Sequence, residues 1–153
     1  MKNKLGFAAL VMAVMMLFAS CSAFTSTATN SVYYTAGQNV GSALRTLMVQ
    51  YKQNGKIDFS NASTLLTLAS LASNYQTVKG NLTNKDFYRD FANGMIKGST
   101  EMVNNSNVDS IIGLLGGADW SGVTNQANNN ATASTNSNVN NTVTSILSGM
   151  TKK

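Results

Sequence analysis

Hydrophobic residues recur at helical spacing in the first half of the chain. A first segment, about 35–53, places five apolar residues on one side: Val40, Leu44, Leu47, Met48 and Tyr51. Asn54-Gly55 follows, and glycine is favoured just after a helix end. A second segment, about 61–78, has no charged residue and is apolar around most of its circumference. That pattern predicts a helix buried at the centre of a bundle.

Three further segments follow the same spacing. The third begins at Thr83-Asn84-Lys85-Asp86, which resembles a capping box, and stays apolar on one side as far as Met102. Within it, Gly94-x-x-x-Gly98 predicts a tight helix–helix contact. A shorter segment covers about 108–115. The last, about 139–150, places Val139, Val143, Ile146, Leu147 and Met150 on one side.

Between the last two segments the chain is rich in asparagine, with 8 Asn among residues 125–141. Such a stretch buries too little apolar surface to offset the entropy of ordering, so a disordered linker is predicted over 123–138. No β-hairpin pattern occurs. The predicted fold is all-α: a small bundle of about four helices over 35–122, then the linker and an amphipathic C-terminal helix over 139–153.

Composition excludes several kinds of chemistry. The 153 residues include no His and a single Cys. An imidazole base, a His-based metal site, an internal disulfide and a CxxC pair are therefore all absent from the sequence. Asp86, Asp90 and Glu101 could act as an acid/base set only if they met in a cleft, and their spacing among Lys and Arg is typical of a solvated helix face. We expect no enzyme activity, cofactor or metal.

The first 21 residues have a charge and hydropathy pattern that differs from the rest of the chain. Lys2 and Lys4 precede an uncharged apolar run over 5–18, and Ala19, Ser20 and Cys21 follow. The run is shorter than the roughly 20 residues that span a bilayer, which favours a secretory signal over an anchor helix. Its end, Phe18-Ala19-Ser20-Cys21, resembles the lipobox of bacterial lipoproteins. A plain secretory signal with an incidental cysteine is the alternative.

The lipobox resemblance implies cleavage before Cys21 by a type II signal peptidase and attachment of acyl chains to that residue. Residues 1–20 would then be a signal peptide and 21–34 a flexible tether. Ser22 is not the Asp that retains such proteins at the inner membrane, so the resemblance implies the periplasmic leaflet of an outer membrane. Losing Lys2 and Lys4 lowers the formal net charge from +5 to +3, and no nucleic-acid partner is expected.

The mature part loosely resembles small Bacteroidetes lipoproteins, which carries no activity with it. We expect a non-catalytic structural or protein-interaction role in the envelope. Trp120, in a glycine-rich loop, either closes the end of the core or contacts a partner, and Tyr33 and Tyr34 are weaker contact candidates. The alternative is a binding module for a small apolar or glycan ligand between helices. Its cavity would open near Trp120 and be lined by Leu65, Leu68, Phe87 and Phe91.

Overall fold

The computed structural model describes residues 31–120, 123 and 135–151. The predicted signal peptide, Cys21 and most of the predicted linker lie outside these ranges. The described ranges contain α1 (Val32–Asn54), α2 (Ala62–Val78), a 3₁₀ turn (Lys79–Asn81), α3 (Lys85–Gly98), α4 (Val108–Gly117) and α5 (Ser137–Thr151). The predicted all-α class, with a bundle and a tail helix, is confirmed.

Helix α1 begins three residues earlier than predicted. Ser31 is its N-cap, and the Ser31 hydroxyl oxygen accepts a hydrogen bond from the backbone N–H of Tyr34 at 3.1 Å. Residues 32–34, predicted to belong to the tether, are therefore helical. At the other end Gly55 adopts φ 70° and its N–H donates to the Tyr51 carbonyl at 2.8 Å, as the Asn-Gly pair predicted.

Asparagine side chains begin the next two helices. The Asn61 carboxamide oxygen accepts from the N–H of Ser63 at 2.9 Å, and that of Asn84 accepts from the N–H of Asp86 at 2.9 Å. The N-cap of α3 is thus Asn84 rather than the predicted Thr83. The side chains of Asn61 and Asn84 thus satisfy N–H groups that the first turn of a helix leaves free.

Helix α3 ends at Gly98, before the predicted limit near Met102. The Glu101 N–H donates to the Ile96 carbonyl at 3.0 Å and the Thr100 N–H to the Lys97 carbonyl at 3.2 Å, which is the Schellman pattern. Thr100 takes the place that glycine usually fills. Thr100 and Glu101 have φ of 51° and 67°, a left-handed conformation that costs about 1–2 kcal/mol for each such residue.

The helices share one hydrophobic core. Asn39 bonds to Asn74 and Thr64 to Gln50, each at 2.9 Å, so α1 and α2 run antiparallel. The core includes fully buried side chains from all five helices, among them Leu44, Leu68, Phe91, Leu115 and Ile146. Helix α5 contacts α1 and α4 and contributes four side chains to this core: Val139, Val143, Ile146 and Leu147. The tail helix therefore docks on the bundle.

Helices α1 and α3 touch through their backbones. Gly37 and Gly41 of α1 face Gly94 and Gly98 of α3, and a Cβ atom on any of the four would overlap a carbonyl oxygen of the facing helix. Tyr34 and Gln38 lie beside Gly94 and Gly98 respectively, so the two helices run parallel. This arrangement confirms the contact predicted from Gly94-x-x-x-Gly98. Its partner motif, Gly37-x-x-x-Gly41, was not predicted.

Candidate functional site

The first turn of α1 is fastened to α3. The Ser31 hydroxyl donates to the Asp90 carboxylate at 2.8 Å. Next to this bond the rings of Tyr33 and Phe87 stack, with centroids 4.1 Å apart and planes 12° apart. One face of the ring of Tyr33, a predicted contact residue, is therefore covered by packing within the bundle. Cys21 lies ten positions before Ser31 in the sequence, outside the described residues.

Trp120 belongs to the core. It is 2% exposed, and its indole N–H donates to the Leu115 carbonyl at 2.8 Å, near the end of α4. The same carbonyl also accepts from the Ala118 N–H at 3.4 Å, so two donors meet it at the end of α4. The position is that of the predicted core plug. Because the ring is buried, Trp120 presents no exposed face for stacking in this structure.

The ligand cavity predicted beside Trp120 is filled by packing. Leu68 and Phe91 are 0% exposed, and Phe87 is covered on one face by Tyr33. A cavity of about 420 Å³ lies instead alongside the contact between α1 and α3, open to solvent on one side. We call it the α1–α3 cleft, and it is lined by Tyr34, Asn93, Ile96, Lys97, Thr100 and Glu101. Of the predicted contact residues, the structure brings Tyr34 to this cleft.

The α1–α3 cleft follows from the backbone contact beside it. Asn93 and Lys97 directly precede Gly94 and Gly98, so they border the line along which the helices touch. Tyr34 approaches from α1. The left-handed residues Thr100 and Glu101 fold the chain back and form the end of the cleft. Sequence reasoning missed the cleft because its two sides are about sixty residues apart in the chain.

A buried serine holds that end in place. Ser99 is 0% exposed, and its hydroxyl donates to the Ile96 carbonyl at 3.1 Å and accepts from the Val103 N–H at 2.9 Å. The turn after α3 is therefore bonded on both sides of the strained pair. A strained backbone persists where the surroundings determine it, and such places cluster at binding sites.

The acidic residues do not meet. Asp86 forms an exposed ion pair with Arg89 at 3.2 Å, three residues along α3. Asp90 holds Ser31, and Glu101 lies beyond the opposite end of the helix. Asp86 and Arg89 are solvent-exposed, as predicted for this face of α3. In the described part of the chain, no three acidic or cysteine side chains come close enough together to hold a metal ion.

Tyr88 and Asp109 connect α3 to the first turn of α4. The Tyr88 hydroxyl donates to the Asp109 carboxylate. Desolvation, and then the hydrogen bond and the charge of Asp109, raise the pKa of Tyr88 to about 12. Burial alone raises the pKa of Tyr75. Both phenols are held in their neutral form, which fits structural hydrogen bonding better than proton transfer near neutral pH.

None of the described helices has the length and hydropathy that crossing a membrane requires. No family model matches this chain, and no curated protein or solved structure matches it either.

Proposed function

We propose that this protein is a lipid-anchored envelope protein, held at the outer membrane by acyl chains on Cys21, whose helical bundle has a non-catalytic structural or protein-interaction role. The lipobox Phe18-Ala19-Ser20-Cys21 is the observation that carries the anchor. One acyl chain alone binds a membrane only marginally, whereas several hold a protein stably. The periplasmic leaflet is proposed because Ser22 is not the acidic residue of inner-membrane retention.

The start of the bundle supports this arrangement. Ser31 comes ten positions after Cys21, and ten residues reach at most about 36 Å when extended. The hydrogen bond from Ser31 to Asp90 holds the start of α1 against α3. A lipid on Cys21 would therefore keep α1 and α3 close to the membrane surface, where an envelope partner can reach them.

The interior supports a structural role. Thr64 and Ser99 are the buried polar side chains of the described residues, and each is hydrogen-bonded within the protein. Thr64 joins α2 to α1 through Gln50. Ser99 holds the turn after α3. Hydrogen-bonded buried groups of this kind are expected of a rigid scaffold.

Metabolic labelling tests the anchor. We expect radiolabelled palmitate to enter the protein, and a type II signal peptidase inhibitor to cause accumulation of the uncleaved form. The Cys21→Ala variant should carry no label and should no longer be found in the membrane fraction. The matched control Ser22→Ala should be labelled and membrane-bound like the parent. The proposal fails if no label enters, or if Cys21→Ala stays membrane-bound. Protease treatment of intact and permeabilised cells tests the leaflet: protection only in intact cells is expected.

The interaction role has its own test. Photocrosslinking groups placed on the exposed positions Asn93 and Thr144 sample two faces of the bundle. We expect one face to give a discrete crosslinked species in cells that the other does not. Equal, diffuse crosslinking from both faces would contradict a specific partner.

A further inference from the structure

The α1–α3 cleft has the size of a small-molecule site. Its volume of about 420 Å³ falls in the range of roughly 300–1,000 Å³ that is usual for small-molecule sites. Tyr34 and Ile96 are partly buried and supply apolar surface, whereas the other four lining residues are polar. The four polar residues are exposed, so this lining is more polar than is usual for a small-molecule site, and hydrogen bonds would hold a ligand there.

The polar groups of the cleft are available to a ligand. Within the described residues the side chains of Asn93, Lys97 and Glu101 form no hydrogen bond or ion pair with the rest of the protein. Lys97 and Glu101 are four positions apart, yet α3 ends between them and they do not pair. The cleft therefore offers a hydrogen-bond donor in Lys97, an acceptor in Glu101, and a carboxamide in Asn93 that can donate and accept.

The charges of the cleft select the kind of ligand. Lys97 and Glu101 carry opposite charges, so their sum favours neither an anion nor a cation. A purely apolar ligand would leave the hydrogen-bonding groups of Lys97 and Glu101 unused. A neutral molecule with several hydroxyl groups and an apolar face satisfies all of these groups at once.

We infer that the α1–α3 cleft binds a neutral saccharide. The C–H face of a sugar ring would lie on Tyr34 and Ile96, and its hydroxyl or amide groups would bond to Asn93, Lys97 and Glu101. The left-handed pair at the end of α3 keeps Thr100 and Glu101 against the cleft. This inference goes beyond the proposed anchoring role and does not depend on it.

Titration of the mature chain followed by NMR tests the inference. The ¹⁵N-labelled protein, in a detergent without a sugar headgroup, receives chitotriose or maltotriose up to about 20 mM, which detects millimolar dissociation constants. We expect at least one saccharide to shift the amides around Tyr34, Asn93 and Thr100 in a saturable manner. Triglycine and inorganic phosphate serve as zwitterionic and anionic probes and should shift them less.

Variants decide whether the cleft is responsible. Asn93→Ala should weaken saccharide binding about tenfold, the effect of one lost hydrogen bond, and Tyr34→Leu should weaken it further. Asn105→Ala removes an exposed carboxamide outside the cleft and should bind like the parent. Circular dichroism and Trp120 fluorescence show whether each variant folds. The inference is overturned if neither saccharide produces shifts, if phosphate or triglycine binds better, or if a folded Asn93→Ala binds unchanged.

Discussion

Adding one methyl group at Gly37 tests the backbone contact between α1 and α3. A Cβ there would overlap the Phe91 carbonyl oxygen and lie 3.0 Å from the Met95 nitrogen. The obstructing atoms are backbone, so no side chain can rotate away, and the helices must separate. A gap of up to about 1 Å forfeits a quarter to a half of the dispersion attraction across the contact.

The expected loss of stability for Gly37→Ala is about 2–3 kcal/mol. Overpacking typically costs about 1–3 kcal/mol, and the loss of close Cα–H···O contacts adds about 0.5–1 kcal/mol for each one. Helix propensity opposes this, since alanine gains about 1 kcal/mol over glycine within a helix. For a domain whose total stability is about 5–15 kcal/mol, the net loss is readily measured.

Urea unfolding provides the measurement, followed by the fluorescence of the single, buried Trp120 and by helical circular dichroism. Gly113→Ala is the matched control, because Gly113 lies within α4 and a Cβ there would meet nothing within 4 Å. Gly113→Ala should raise the free energy of unfolding by about 0.5–1 kcal/mol. The reasoning is refuted if Gly37→Ala also becomes more stable than the parent. In a double mutant, Gly94→Ala should cost less once Gly37→Ala has separated the helices.

Three further changes have defined outcomes. Thr100→Gly should raise the free energy of unfolding by about 0.5–1 kcal/mol, because the backbone strain that it relieves exceeds the entropy that it adds to the unfolded state. If urea unfolding shows a lower stability instead, Thr100 is not strained. Folding raises the pKa of Tyr88 from 10.0 to about 12. The neutral phenol therefore stabilises the folded protein below pH 10, and this contribution is lost as the pH rises towards 12. Tyr88 is partly exposed, so this amounts to less than about 1 kcal/mol, and Tyr88→Phe should show a smaller alkaline loss in pH-dependent melts; an unchanged loss would exclude this cause. Ile146→Ala should cost about 2–5 kcal/mol in one cooperative transition, against almost nothing for the exposed Ser145→Ala; a separate early transition of α5 would contradict the shared core.

The helices were predictable because each carries its own periodic pattern. Val139, Val143, Ile146 and Leu147 follow that pattern in α5, and all four are buried. The end of α3 was not predictable in the same way. Val103 is 0% exposed although it lies outside the helix, so the apolar pattern continues past the point where the backbone turns.

The cleft and the helix contact depend on relations that local patterns do not contain. Gly94-x-x-x-Gly98 indicated a close approach, but its partner lies more than fifty residues earlier and is separated from it by all of α2. Asn93 and Lys97 border a cleft only because Tyr34 of α1 lies opposite them. The stack of Tyr33 on Phe87 and the burial of Trp120 likewise depend on tertiary contacts that the local sequence does not contain.

The fastening of Ser31 to Asp90 has a mechanical consequence. Any pull on the chain before residue 31 is transmitted first to α1 and, through this bond and the Tyr33–Phe87 stack, to the parallel helix α3. A pull along the axis of α1 must slide two interlocked backbones past each other, so the load is shared by four glycine contacts at once rather than breaking them one after another. The bundle is therefore built to resist traction applied at the N-terminal end of α1.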